Sequence, residues 1–228
     1  MTAVHVEHEG RIYVLGRHAD AADRHDPRNL NFPAETATTL RAVDWTRIGG
    51  PLDQGQLGSC TGNALAGWMN TAPGYRAPAA LKTERDAVRY YSAATALDPY
   101  PGTYPPTDTG SDGQSVCKAA MKAGELTGYT HALGIDHVLA ALMLGPMIVG
   151  TEWLQGMFTP DVHGVLKVSG KVAGGHEYEL VAYDPATGLL GFWNSWGTSW
   201  GVGGRFWVHQ SDFARLLKAG GDATVPQR

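Results

Sequence analysis

Apolar residues recur at helical spacing in the first half of the chain. The spacing predicts one helix that starts near Cys60 and runs to about residue 69, and three more over 80–96, 114–123 and 135–144. Ser59 directly precedes the first of these helices and is a residue type that caps helix N-termini. Helices therefore dominate the predicted structure of this half.

The second half has short runs rich in β-branched and aromatic residues, which predict strands. These runs cover 147–151, 179–183, 189–193 and 205–208. The sequence Asp-Pro-Ala-Thr-Gly at 184–188 favours a tight turn, so a hairpin is predicted around it. Helices followed by strands predict an α+β protein with a helical lobe and a sheet lobe.

The first 42 residues differ from both halves because they are polar and irregular. One short strand is predicted over 11–15, and an extended arm is predicted from about residue 18 to residue 33. The arm contains histidines and aspartates, but a solvated surface explains them better than a metal site does. No metal is therefore expected.

Composition narrows the classes of function. The chain has 228 residues, of which 43% are hydrophobic and 18% charged, as in an ordinary soluble globular protein. A net charge of −4 leaves no basic face, so nucleic acid is not an expected partner. The longest apolar stretch, 138–149, is shorter than the roughly 20 residues that span a bilayer, and the first residues do not have the pattern of a secretory signal. We therefore expect no membrane insertion, and we expect the two cysteines, Cys60 and Cys117, to be free thiols.

The most informative local pattern is Asp-Gln-Gly-Gln-Leu-Gly-Ser-Cys-Thr at 53–61. Its glycines permit a close backbone approach, and Cys60 falls where a helix is predicted to begin. Unpaired N–H groups and the positive end of the helix dipole favour the reactive thiolate at such a position. A buried structural cysteine behind a glycine-rich turn explains the same residues, because free cysteines are commonly buried.

Two further patterns lie in the half that is predicted to form the sheet. His176 follows two glycines and enters a strand, where it can face a cleft; a hydrogen-bonded structural histidine is the simpler alternative. Asn194 lies in the run Phe-Trp-Asn-Ser-Trp-Gly-Thr-Ser-Trp-Gly-Val-Gly-Gly at 192–204. That run also fits an aromatic hairpin core with Asn194 in a turn, and the two interpretations are compatible because rings can shield a buried hydrogen bond.

In their order along the chain, the three patterns resemble the active-site blocks of papain-family cysteine peptidases. Residues 54–60 resemble Gln-Gly-x-Cys-Gly-Ser-Cys, the residues around His176 resemble the histidine block, and 194–204 match Asn-Ser-Trp-Gly-x-x-Trp-Gly-x-x-Gly. Residues 88–94 and 138–150 resemble segments of bacterial and phage-type members more weakly. The resemblance covers most of the chain outside its two ends.

The resemblance implies a papain-like two-lobed fold of the α+β class, with the active-site cleft between a helical lobe and an antiparallel β-sheet or barrel lobe. We expect the lobes to meet near residue 133, with the peptidase domain over 43–210, an N-terminal arm over 1–42 and a C-terminal tail over 211–228. The likeness to bacterial and phage-type members, without a secretory signal, implies a cytoplasmic or a phage- or virion-associated protein.

The resemblance also assigns roles. It makes Cys60 the nucleophile, His176 its base and Asn194 the residue that orients the base. The Gln54 side chain and the Cys60 N–H would bind the oxyanion, and the indole of Trp196 would shield the His–Asn hydrogen bond. The implied substrate-binding residues are Gly58, Ser59, Gly110, Ser111, Gly175 and Trp196. The substrate would be a peptide or protein, and the mechanism needs no cofactor.

Two departures from the family pattern leave alternatives open. Glu177 follows the histidine where a small alanine is common, and its carboxylate would either raise the imidazole pKa or alter substrate preference beside the cleft. The first 42 residues are too few for the long inhibitory propeptide of secreted relatives. Either no zymogen exists, or the N-terminal arm has another regulatory role.

The expected reaction is hydrolysis of a peptide or isopeptide bond through a thioester. The same residues would also serve acyl transfer to an amine, or hydrolysis of peptidoglycan peptides. A third hypothesis is a catalytically silent papain-like module used for binding. The presence of Cys60, His176, Asn194 and Gln54 together argues against a silent module.

Overall fold

The computed structural model describes residues 2–18, 39–77 and 79–228. Five helices lie in these ranges: α1 (Cys60–Met69), α2 (Glu84–Thr95), α3 (Gly113–Lys122), α4 (Ile135–Leu142) and α5 (Gln210–Lys218). The four predicted helices are confirmed, although α2 begins later than expected. It begins there because Thr83 and Asp86 form a capping box, in which the Thr83 N–H donates to Asp86 Oδ2 at 3.0 Å.

Within these ranges, the strands form two separate sheets. They are β1 (Val4–His8), β2 (Arg11–Leu15), β3 (Val43–Asp44), β4 (Gly128–His131), β5 (Met147–Leu154), β6 (Val172–Asp184), β7 (Leu189–Trp193), β8 (Arg205–His209) and β9 (Asp222–Gln227). β1 and β2 make an antiparallel hairpin of their own. The other strands form one antiparallel sheet in the order β4-β9-β5-β6-β7-β8, and β3 pairs with β6. The four strands predicted in the second half and the strand over 11–15 are present, and the predicted turn at 184–188 joins β6 to β7.

The C-terminal residues are an integral part of this sheet, not the tail predicted over 211–228. β9 pairs with β5, where Thr224 lies opposite Ile148, and it also pairs with β4. Ala223 and Thr224 are buried there. The sequence did not reveal this strand because it is short, polar at its ends and interrupted by Pro226.

Two separate cores produce the two lobes. In the helical lobe, Leu65 of α1, Tyr90 of α2 and Val116 of α3 are buried in one cluster. In the sheet lobe, a second cluster is dominated by aromatic rings such as Trp153 and Phe206. Every residue of α1 is buried, so the helix that begins at Cys60 is the central element between the lobes. Within the described ranges, no helix has both the length and the apolarity needed to cross a membrane.

Candidate active site

The thiol of Cys60 lies at the first residue of α1 and is fully buried. Backbone N–H groups of Thr61, Glu177 and Gly16 hydrogen-bond to its sulfur. Thr61 belongs to the helix and Glu177 to the sheet lobe, so the sulfur lies where the two lobes meet. The third donor, Gly16, comes from the N-terminal segment that follows β2, which no sequence motif connects to the site.

His176 and Asn194 are brought together by neighbouring strands of the sheet lobe. His176 Nε2 lies 2.7 Å from Asn194 Oδ1, and both residues are buried. The indole of Trp196 stacks on the imidazole with ring centroids 4.6 Å apart. Trp153 packs edge-on against the same ring at 5.0 Å. The two indoles exclude water from the hydrogen bond, which strengthens it.

Trp153 was missed by the sequence interpretation. It lies on β5 opposite Gly174, two residues before His176 on the neighbouring strand β6. Its only signal in the sequence is an aromatic residue near the end of a predicted strand. A cross-strand pairing is needed to connect it to His176.

The side-chain amide of Gln54 is fixed at both ends. Its Oε1 accepts a hydrogen bond from Ser195 Oγ at 2.6 Å. Its Nε2 donates to the carbonyls of Leu57 and Val14, both at 2.9 Å. The nitrogen is therefore directed at a carbonyl oxygen of the N-terminal segment as well as at the Leu57 carbonyl.

Residues 14–18, here called the cleft segment, run between the two lobes over Cys60. The Arg17 N–H donates to the Gly175 carbonyl at 3.0 Å, which ties the segment to the sheet lobe. The Ser111 N–H donates to the Gly16 carbonyl and the His18 N–H donates to the Ser111 carbonyl, both at 2.8 Å, which ties it to the helical lobe in parallel orientation. The segment therefore occupies the cleft and covers the thiol.

Only glycine fits at position 16 of this segment. A Cβ atom there would collide with the carbonyl of Gly58 and would lie 2.7 Å from its Cα. Gly110, at φ +77°, also needs its small size, because a Cβ there would collide with the Gly16 carbonyl oxygen. The cleft segment therefore packs against backbone on the helical side of the cleft.

The sequence-predicted substrate-binding residues divide into two groups. Gly58, Gly110, Ser111 and Gly175 all contact the cleft segment. Ser59 and Trp196 have other contacts. Ser59 is fully buried, and its hydroxyl lies 3.0 Å from Asn63 Nδ2, whereas the Trp196 ring stacks on the His176 imidazole.

Burial sets the protonation states of the covered site. It raises the pKa of the Cys60 thiol to about 12, and the nearby Glu177 carboxylate raises it further, while the backbone donors act in the opposite direction. It lowers the pKa of His176 to about 4, against a smaller opposing effect of Asn194. Two roles were open for Glu177, and one of them was to raise the imidazole pKa. The pKa of His176 is instead lowered, so that role is not supported. Near neutral pH the site holds a neutral thiol and a neutral imidazole.

No candidate metal site accompanies these residues. In the part of the chain that the structure describes, no three or more His, Cys, Asp or Glu side chains cluster so that they could hold a metal ion. The predicted arm from residue 18 to residue 33 lies, beyond His18, outside the described residues. Cys117 is buried and unbridged on α3.

Comparisons with known proteins bear on the fold. No protein-family model matches the chain, and no curated protein matches it. Among solved structures, the chain is similar to xylellain, a cysteine protease from Xylella fastidiosa, with a TM-score of 0.74, 20% identity, 93% of this chain and 95% of that chain covered. It is also similar to digestive procathepsin L 3 of Tenebrio molitor larval midgut, with a TM-score of 0.60, 16% identity, 88% of this chain and 75% of that chain covered. A third similar structure is the Carica candamarcensis cysteine protease CMS1MS2 in complex with E-64, with a TM-score of 0.56, 15% identity, 83% of this chain and 99% of that chain covered.

These likenesses extend over nearly the whole chain, at identities where sequence alone is a weak guide. They show that the chain has the fold of papain-like cysteine proteases. The fold and two-lobed α+β architecture predicted from the sequence are therefore confirmed.

Proposed function

We propose that the chain is a cysteine-type peptidase that hydrolyses peptide bonds with Cys60 as nucleophile, His176 as base and Asn194 as the residue that orients the base. The observation that carries this proposal is the state of the imidazole. Its Nε2 is held by Asn194, while its Nδ1 is buried and has no hydrogen-bond partner among the described residues. An imidazole fixed in this way offers one nitrogen for proton transfer with a neighbouring thiol.

The reaction would proceed through a thioester. His176 Nδ1 takes the proton from Cys60 Sγ, and the sulfur attacks the carbonyl carbon of the scissile bond. Gln54 Nε2 and the Cys60 N–H donate to the developing oxyanion, and one such donor is worth about 3–4 kcal/mol. The imidazolium then protonates the departing amine, and water hydrolyses the thioester with His176 again as base.

We further propose that the covered state is a latent one. Two contacts support this: Gln54 Nε2 is engaged by the Val14 carbonyl, and the Cys60 sulfur accepts from the Gly16 N–H. The sulfur therefore faces an amide hydrogen and not a carbonyl carbon, so the segment blocks the site without being positioned for attack. Displacement of the segment would expose the thiol to water and lower its pKa towards the ordinary value. In this proposal, the N-terminal arm has the regulatory role that was one of the two alternatives from the sequence.

The test is peptide cleavage by the full chain. A mixture of unrelated peptides is incubated with wild type and with Gly16→Ala, whose Cβ should displace the segment. We expect Gly16→Ala to release new peptide termini faster than wild type, and Cys60→Ala in the same background to release none. Cys117→Ala is the matched control, because this buried free cysteine has no role in the proposed reaction and should leave cleavage unchanged.

Product analysis separates this proposal from its alternatives. With a primary amine added, hydrolysis gives free carboxyl termini, whereas acyl transfer gives amides of the added amine. Amide products alone would replace hydrolysis by acyl transfer with the same residues. A Gly16→Ala protein that is folded, with a thiol open to a small alkylating agent, yet forms neither product from any peptide would contradict the enzyme proposal and favour a binding module.

A further inference from the structure

The cleft segment inserts one charged side chain, Arg17, into the wall of the cleft. Its Nη2 donates to the Gly220 carbonyl at 3.0 Å and pairs with the carboxylate of Asp222. Its Nε lies 3.9 Å from Glu177 Oε2. The side chains of Arg17, Glu177 and Asp222 are 2%, 0% and 10% exposed, so the contact is closed to solvent.

The pocket that holds this guanidinium is formed by the sheet register and kept open by glycines. Gly150 of β5 lies opposite Glu177 of β6 on one side and Asp222 of β9 on the other. A Cβ at Gly150 would collide with Arg17 Nε and would lie 2.5 Å from Glu177 Oε2 and 2.6 Å from Asp222 Oδ1. A Cβ at Gly113 would lie 2.6 Å from Glu177 Oε1. A larger residue at Gly150 would fill the space that the guanidinium occupies, and one at Gly113 would displace the Glu177 carboxylate.

The backbone around Arg17 is held as an extended peptide would be held. Ser111 bonds the residues on either side of Arg17, and the Gly175 carbonyl accepts the Arg17 N–H. These are backbone groups of the two cleft walls, and they do not depend on the identity of the bound chain. A peptide that replaces the segment can use the same groups, and it would then direct a side chain into the same pocket.

We propose that the pocket formed by Glu177, Asp222, Gly150 and Gly113 selects an arginine side chain of the substrate, and that Arg17 is its internal occupant. This inference rests on the proposed peptidase function. Both carboxylates lie where water is excluded, and attraction between opposite charges is stronger there than in water, so a cationic side chain is favoured over a neutral one. The planar guanidinium has several N–H donors in one plane, so it can bind both carboxylates at once. The single ammonium group of lysine matches this geometry less well. The pocket therefore favours arginine and disfavours neutral residues of the same length.

The experiment uses the full chain with Arg17→Gln, which frees the pocket without deleting the segment. Peptidyl epoxides are prepared in pairs that differ only by arginine or its uncharged isostere citrulline, at one position at a time. The rate of Cys60 labelling is followed by mass spectrometry. At one position we expect arginine to label faster than citrulline by at least about tenfold. Asp222→Asn and Glu177→Gln should each reduce this ratio severalfold.

The control is Glu179→Gln, which neutralises a buried carboxylate on the same strand that does not contact Arg17. It should keep the full arginine-to-citrulline ratio. Because each ratio is taken within one protein, a general loss of reactivity in a variant does not affect it, and thermal unfolding shows whether each variant is folded. Gly150→Ala provides a second approach: it keeps both charges but fills the pocket, and it should abolish the ratio.

The outcomes separate the two proposals. Equal labelling by arginine and citrulline probes at every position, in a protein whose Cys60 reacts with both, would overturn the pocket proposal and leave the peptidase proposal intact. The pocket would then serve only the chain's own segment. A Cys60 that resists every peptidyl probe but reacts with a small alkylating agent would contradict the peptidase proposal itself.

Discussion

Two buried arginine–carboxylate contacts lie side by side in this molecule. Arg47 Nη1 lies 3.6 Å from Glu179 Oε2, with side chains 3% and 1% exposed. Arg17 contacts Glu177, two residues earlier on β6 and on the same face of the strand. Both pairs are desolvated, yet only the second joins the cleft wall to a segment that lies across the candidate active site.

The difference concerns what each arginine is attached to. Arg47 belongs to the body of the fold and packs close to Gly67 of α1, where a Cβ would lie 3.2 Å from Glu179 Oε2. Arg17 is attached to the β1–β2 hairpin, whose strands pair only with each other among the residues that the structure describes. The same chemistry therefore stabilises the fold in one place and, in our proposal, holds an exchangeable occupant in the other. Burial alone does not distinguish a structural ion pair from a binding pocket. The two are distinguished by whether the arginine belongs to the body of the fold or to a segment that lies in the cleft.

The largest expected effect comes from breaking the structural pair. Arg47→Met leaves Glu179 buried without its partner and should lower the free energy of unfolding by about 3–5 kcal/mol. Burial raises the pKa of Glu179 to about 7, so the carboxyl can bind a proton as the pH falls below 7. The loss should therefore be smaller at pH 5 than at pH 8. Chemical denaturation at the two pH values measures it.

The matched variant Arg17→Met should behave differently, because displacement of the segment can bring water to Glu177 and Asp222. We expect a smaller loss of unfolding free energy than in Arg47→Met, together with faster alkylation of Cys60. If the two variants lose the same free energy of unfolding and Cys60 reacts no faster in Arg17→Met, Arg17 stabilises the fold in the same way as Arg47 does.

The second effect is opening of the cleft by Gly16→Ala. Overpacking of a close contact costs about 1–3 kcal/mol. If this cost falls on the covered state alone, Cys60 alkylation should accelerate roughly 5- to 150-fold, since 1.4 kcal/mol is a factor of ten. Gly50→Ala is the control, because a Cβ there has no neighbour within 4 Å. An unchanged alkylation rate in a folded Gly16→Ala protein would contradict the assignment of Gly16 to the covered thiol.

A pH dependence of covering should follow from His176. Burial lowers its pKa from 6.5 to about 4, so the covered state favours the neutral imidazole. This contribution to covering is fully present above pH 6.5 and is lost as the pH falls from 6.5 towards 4. The segment should therefore open more often in mild acid. Hydrogen exchange at the Gly16 and Arg17 amides, corrected for the intrinsic rate at each pH, measures this, and His176→Gln should remove the dependence.

These expectations show which parts of the site the sequence could predict. The candidate site residues lie in short motifs whose spacing is local, so Cys60, His176, Asn194 and Gln54 could be named from the sequence. The structure joins His176 to Asn194 by a hydrogen bond, and the catalytic roles of the four residues stay a prediction. The helices and most strands followed from apolar periodicity for the same reason. Their ends moved by a few residues where a cap such as Thr83 determines them.

The parts that could not be predicted depend on long-range pairing. Nothing in the sequence of the cleft segment indicates that it lies beside Cys60, which is more than forty positions away. The close backbone contact at Gly16 cannot be predicted from the residue type, because glycine occurs in many other backbone settings. β9 was missed because its partners, β4 and β5, come from distant parts of the chain. The arginine pocket likewise exists only after the register places Gly150 between two carboxylates.

The smallest expected effect is at Cys117. It is buried on α3, and burial raises its pKa well above the ordinary value, so it should remain an inert thiol. Cys117→Ala should leave the rate and site of labelling unchanged and cost about 1 kcal/mol of stability. Intact-mass analysis after alkylation of the folded protein checks this, and a second adduct assigned to Cys117 would show that the helical lobe opens.

The most direct test of the central claim is the reactivity of Cys60 towards a papain-type epoxide, measured by mass spectrometry on the full chain in the Arg17→Gln background. The account predicts one adduct, located on Cys60, that is absent in Cys60→Ala and much slower to form in His176→Ala. A folded protein in which a small alkylating agent modifies Cys60 but the epoxide does not, or in which His176→Ala reacts as fast as its parent, would contradict an imidazole-activated nucleophile at this site.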